Sequence, residues 1–329
     1  MNTFKDNPVV DSVISVINSS TYVKTDIDQI KRVASWMAYE EFPAKNIGQK
    51  SYKKFEAEEH IKSTMLMSCI NFAFTDFNTR TKYEVEHNGT VLSDSEAVIH
   101  QVNSAIASGH DIADGEVMAG LTFKDLENIF VGNIEMPMLK ERVEILNNVG
   151  KKLVNSYEGS WIKFIDSCSP NLYHNGEGLV EKLVTEFPRF NDVINFEGSE
   201  VKFYKLAQLG YWGIYASLNN SDLFDIEDID RMSAFADYIV PVALRLFGVI
   251  NYTDELESDI NNGKEILAFS QKEVEIRAHS LYATALLTGE INKLRPLEKS
   301  IIIPQLDWRL WKTYHATHWP HHLTKTIMY

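Results

Sequence analysis

Apolar residues recur along this chain mostly at helical spacing. In "TDIDQIKRVASWMAYEEF" the positions Ile27, Ile30, Val33, Ala34 and Met37 share one face, and Thr25 stands where an N-cap belongs. "EEHIKSTMLMSCINFAF" predicts a buried helix and "MPMLKERVEILNNVGKKLVNSY" a longer amphipathic one. The clear exception is "KYEVEHNGTVLS", where Tyr83 and Val85 alternate with Glu84 and Glu86 and Asn88-Gly89 marks a tight hairpin turn. "NFEGSEVKFYKLAQLGYWGIYASL" starts extended and turns helical. No repeat, low-complexity tract or Pro/Gly/Ser-rich linker interrupts the pattern. The expected architecture is therefore a mainly α single domain over residues 1–329 with one small β-hairpin near 82–93. Within it, an N-terminal helical part would cover about residues 1–135 and a C-terminal part about 136–329.

One acid disturbs the pattern. "DIEDIDRMSAFADYIVPVALRLFGVI" reads as helical, with Asp225 or Asp228 as cap and Met232, Phe235 and Ile239 on one side, yet Asp237 sits in its apolar middle. Pro241 has no N–H to donate to the Asp237 carbonyl four residues back, and Val240 before it is pushed out of the helical region. The helix is expected to kink or end there, with the carboxylate at the discontinuity. Held among Phe235, Tyr238 and Ile239, that carboxylate would be desolvated in the way catalytic acids are tuned; on a wet face, or paired with Arg231, it would be ordinary.

A second constellation lies near the C-terminus, in "IIIPQLDWRLWKTYHATHW". Pro304 suits a first helical turn, which puts Asp307 and Trp311 on one face. A carboxylate beside an indole can accept two adjacent N–H groups of a guanine-type edge while the ring stacks on the base. Core packing by Trp308 and Trp311, with Asp307 as a capping acid, is the alternative. Lys205 falls in an aromatic neighbourhood, where its ammonium either reaches water or meets an anion. Glu273 and Arg277, one turn apart, form a structural ion pair. His315, His318, His321 and His322 crowd the tail without the Cys/His framework or metalloprotease motif of a zinc site, so no metal or other cofactor is expected.

Composition narrows the classes. The formal charge of −14 argues against a stable nucleic-acid partner, since phosphate contacts need a basic face, but leaves room for a small anionic ligand. Cys69 and Cys168 are too few for a disulfide framework. The polar start "MNTFKDNPVV" and the lack of a long apolar run point to a cytoplasmic protein without a membrane segment. No phosphate-binding glycine loop, dinucleotide fingerprint or nucleophile elbow occurs.

Read in order, several segments resemble the queuosine salvage family of nucleotide N-glycosylases. "INFAF" at 70–74 is similar to the family's Asn-Phe-x-Phe segment, and "ILNNVGKKLVNSYEGS", "FPRFNDV" and "FEGSEVKFYKLAQ" to its central region. "FADYIVP", "EVEIRAHSLY" and the tail "LDWRLW…PHHLTKTIMY" match its C-terminal half, so the similarity runs from about residue 60 to the last residue.

The resemblance implies a helical fold akin to DNA glycosylases and hydrolysis of the bond between queuine and ribose in queuosine 5′-phosphate. It implies that Asp237 is the catalytic carboxylate, with Phe235 lining the base pocket, Asp307 holding the deazaguanine edge, and Asn71 and Phe72 as pocket residues. Lys205 takes the place of a lysine suited to the 5′-phosphate, and His60 that of a ligand-contacting histidine. Two departures concern the base: Thr75 stands where the family commonly has Trp, and Lys312 where an acid suited to queuine's cationic aminomethyl group is common. A glycosylase acting on another modified purine nucleotide, or an inactive nucleotide-binding homologue, are the competing expectations.

Overall fold

The computed structural model describes residues 6–43, 54–218, 223–315, 317 and 319–329, and these are mainly helical, with small two-stranded antiparallel sheets. Contacts divide the chain into two compact units, neither continuous in sequence. One takes residues 1–47, 192–208 and 227–325, and the other 48–191, 209–226 and 326–329.

The first unit is built on the Gln271–Leu294 helix, which is buried on nearly every side, as a helix apolar all round must be. The helices Ile14–Ser19, Ile27–Met37, Val240–Leu246 and Ile303–Tyr314 pack against it. So does the strand Val23–Thr25, which pairs antiparallel with Ile250–Tyr252. Glu275, fully buried on that helix, accepts backbone N–H bonds from Thr21 (2.9 Å), Tyr22 (2.6 Å) and Val23 (2.9 Å). A carboxylate satisfied by three amides replaces the water it lost and ties the strand to the helix. The Ile27–Met37 helix is capped by Asp26, whose carboxylate accepts from the Gln29 N–H at 2.8 Å, and not by Thr25. Thr25 is committed to the strand, and its hydroxyl pairs with His279 Nδ1 at 2.8 Å.

His279 also meets the Ser20 hydroxyl through Nε2 at 2.8 Å, and burial pushes its imidazole down to about 4. Because the folded protein resists protonating this group, its contribution to stability is complete above the unfolded value of 6.5 and is lost as pH falls from there to about 4. The stability difference between wild type and His279→Gln should therefore shrink by about 3 kcal/mol between about pH 7.5 and about pH 4. Urea unfolding at the two pH values measures it, and a pH-independent difference would contradict the assignment.

The second unit holds the Lys54–Ile70, Asp94–Ala107 and Leu139–Tyr157 helices, with an aromatic cluster of Trp161, Phe164, Phe187 and Phe190. The expected hairpin is Glu84–His87 paired with Thr90–Ser93, and both turn residues, Asn88 (φ 51°) and Gly89 (φ 77°), take the left-handed conformation that this turn demands. A second hairpin, Val193–Phe196 with Ser199–Lys202 in the first unit, accounts for the extended start read at "NFEGSEVKF". The helix that follows it is Lys205–Leu218.

Candidate functional site

Residues 232–237 are not helical, which corrects the expectation of a helix broken at Asp237. Pro241 lies in the first turn of the Val240–Leu246 helix, where a missing N–H costs nothing, so it starts a helix instead of stopping one. The Asp237 carboxylate accepts the N–H groups of Ile239 and Val240, each at 2.9 Å, and so closes the turn into that helix.

The irregular stretch is pinned along its length. Gln208 accepts from the Ser233 N–H at 2.8 Å, and its amide donates to the Ser233 hydroxyl at 2.9 Å. Asp307 Oδ2 accepts the Phe235 N–H at 2.9 Å, and Arg277 Nε donates to the Ala236 carbonyl at 3.3 Å. Arg277 itself is fully buried, paired with both Asp192 and Glu273, and stacked 3.9 Å over the Phe203 ring. Side chains held this way keep a functional group within the narrow range of positions that chemistry needs.

Three ionisable side chains of this unit are buried and interact electrostatically: Lys205, Asp237 and Asp307, each less than 10% exposed (7%, 7% and 3%). Burial pushes the Asp237 carboxyl up, while the Lys205 ammonium, the two backbone N–H bonds and His321 pull it back. Asp307 lies well above the ordinary carboxylate range, first through burial and then through the negative charge of Asp237. Two acids and one ammonium in a poorly solvated place cannot all carry charge at low cost. Of the two acids, Asp307 is the one pushed further toward its protonated form, since the charge of Asp237 adds to its burial. Asp237 is thus buried and not on a wet face, Arg231 pairs with Asp228 at 3.2 Å, and Asp307 bonds the Phe235 N–H of a distant loop and not its own helix end.

Phe235 is buried beside these groups in the chain. Trp311 stacks with Trp308 (centroids 5.4 Å apart) and His315 (4.4 Å) and packs on the core of the unit, while Lys312 is exposed on the same helix. His321 stacks on Tyr238 at 4.6 Å, His322 is buried, and His318 lies outside the described residues. Among the described residues no group of three or more His, Cys, Asp or Glu is arranged to hold a metal ion, and no helix is long and apolar enough to cross a membrane.

Asn71, Phe72 and His60 belong to the second unit. His60, Thr64 and Ser68 line one face of the Lys54–Ile70 helix, and Gly210 and Gly213 lie against it. A Cβ at Gly210 would stand 2.6 Å from the Ser68 hydroxyl, and one at Gly213 would stand 3.1 Å from Thr64 Cγ2, so these glycines permit the close approach. Burial pushes the half-buried His60 imidazole down, against a hydrogen bond to the Gly213 backbone. Asn71 and Phe72 follow directly after the helix; Asn71 is partly buried and Phe72 fully buried. A cavity of about 820 Å3 in this unit, bordered by His100, Gln101, His110, Asp111 and Glu116, contains none of the expected site residues.

Sequence reading missed Gln208, Asp192 and the reach of Arg277. Their signal was weak but present: an arginine inside a helix apolar on all sides requires acids from elsewhere in the chain.

The fold and these groups define a mainly helical protein with a buried acid pair and a lysine, Asp237 on an anchored irregular stretch and Asp307 and Lys205 on helices. The family described as queuosine salvage protein matches residues 51–329, and the chain belongs to that family. The queuosine 5′-phosphate N-glycosylase/hydrolase of Sphaerobacter thermophilus is 28% identical over 317 residues, 95% of each chain. Proteins of the same name from Mus musculus (29% over 278 residues, 80% of each chain) and Schizosaccharomyces pombe (24% over 307 residues, 89% of this chain and 83% of that one) are also similar.

Proposed function

We propose that this protein is a hydrolase that cleaves the N-glycosidic bond of queuosine 5′-phosphate and releases queuine. Similarity to glycosylases of that name over nearly the whole chain carries the reading, and the buried Lys205–Asp237–Asp307 cluster supplies chemistry suited to it.

Breaking the bond builds positive charge on the sugar. A 7-deazapurine lacks the ring nitrogen that ordinarily takes a proton, so the cation itself must be stabilised. Asp237, a poorly solvated acid, does this electrostatically at C1′ as its carboxylate and orients water or bonds to that carbon. Asp307 presents to the base edge the carboxyl oxygen not used by the Phe235 N–H. Lys205 keeps Asp237 charged and offers a cation to the 5′-phosphate, whose binding energy then serves to place the sugar.

The test is a panel of nucleotides: queuosine 5′-phosphate, queuosine, and the 5′-monophosphates of guanosine and 7-deazaguanosine, with released base identified by mass spectrometry. Queuine release from queuosine 5′-phosphate, at least about tenfold faster than base release from any other member, is expected. No base from any member would overturn the reading. Faster release from another purine nucleotide would favour the second reading, a glycosylase for a different modified base, which the lysine at 312 supports.

A further inference from the structure

The Lys54–Ile70 helix ends in the segment that carries Asn71 and Phe72, and a helix end leaves carbonyls without partners. Two arginines from elsewhere in the same unit take them. Arg142, fully buried, donates through Nη1 to the Ile70 carbonyl, through Nη2 to those of Phe72 and Ala73 (3.0 Å to Ala73), and through Nε to Pro137 at 3.2 Å. Arg189 Nε donates to the Cys69 carbonyl at 2.7 Å. Both guanidinium planes also lie over the Phe72 ring, at 4.2 Å for Arg142 and 4.9 Å for Arg189.

A buried guanidinium ordinarily sits against a carboxylate, as Arg277 does. Arg142 instead donates to backbone carbonyls and lies over the Phe72 and Phe74 rings, and these contacts hold the shape of residues 70–73. Ala73 has φ 47°, a left-handed conformation uncommon for a residue with a Cβ. The clamp touches the backbone on either side of Asn71, a residue that stays partly exposed.

We propose that Arg142 is a positioning residue: it fixes the backbone on both sides of Asn71 and so holds the carboxamide in one place before a nucleotide binds. The inference rests on the reading of Asn71 as a substrate-binding residue.

Arg142→Lys keeps the charge but cannot span the same carbonyls. In the full chain it should raise KM for queuosine 5′-phosphate about tenfold or more, with a smaller change in kcat. Amide exchange at residues 72–75 should become about 10²-fold faster, with the Gln271–Leu294 helix unaffected. Asn71→Ala, which leaves every clamp contact in place, should reproduce the rise in KM, and adding Arg142→Lys to it should raise KM no further. Unchanged exchange at 72–75, or effects on KM that multiply in the double variant, would overturn the proposal. A wild type that releases no base overturns the functional reading instead, and the exchange measurement then decides the clamp alone.

Discussion

Replacing Asp237 with asparagine is expected to lower kcat by at least about 10³-fold and to change nucleotide affinity by less than about tenfold. The substitution is informative because the fold should survive it. Asp237 Oδ1 accepts the Ile239 and Val240 N–H groups, and an asparagine oxygen in the same place accepts them equally well. The anchors at Ser233, Phe235 and Ala236 come from Gln208, Asp307 and Arg277 and do not depend on the charge at 237. What the variant removes is the negative charge that would face the developing cation. Alanine at 237 is the useful contrast, since it also removes the cap and should cost about 1 kcal/mol of stability. Single-turnover kinetics with queuosine 5′-phosphate, alongside equilibrium binding, separate chemistry from affinity. Retention of more than about a tenth of the wild-type kcat would end the assignment of Asp237 as the reacting carboxylate.

How far the sequence carried can be judged from particular residues. Asn88-Gly89 announced its hairpin because both residues tolerate the left-handed conformation that the turn demands. Glu197-Gly198 makes a comparable turn, at φ 50° and 83°, but a glutamate gives no such signal, and only the extended start was legible. Pro241 was correctly seen as punctuation and wrongly as a stop. Proline marks a helix boundary without saying on which side the helix lies, and the apolar spacing of Met232, Phe235 and Ile239 imitated a helix where burial alone was at work. Asp307 was visible as an acid one turn from a tryptophan, yet its bond to the Phe235 N–H spans 72 residues, and no local pattern encodes that. The same holds for the division into units, in which residues 192–208 join a body made mostly of residues far away in the chain. Local propensity specified the elements, and long-range hydrogen bonds specified the site.

Lys205→Met should move the acid limb of the kcat/KM profile to higher pH by about 1–3 pH units. The sign follows from the neighbours of Asp237. Burial raises its carboxyl, and the groups that oppose the rise are the Lys205 ammonium, the Ile239 and Val240 N–H bonds and His321. In the proposed mechanism the reacting form is the carboxylate, so rate falls as pH drops through that pKa. Without the ammonium the carboxyl holds its proton to higher pH, and at a fixed acidic pH the rate drops about tenfold for every pH unit the limb moves. Asp307→Asn should leave the limb nearly in place, because an amide resembles the protonated acid already favoured there by burial and by the charge of Asp237. The lysine has a second candidate role, at the substrate's 5′-phosphate, and the profile separates the two. Loss of preference for queuosine 5′-phosphate over queuosine, with an unmoved limb, would mean that Lys205 acts on the phosphate alone. A moved limb with queuosine as substrate, where there is no phosphate to bind, would mean that it works by keeping Asp237 charged.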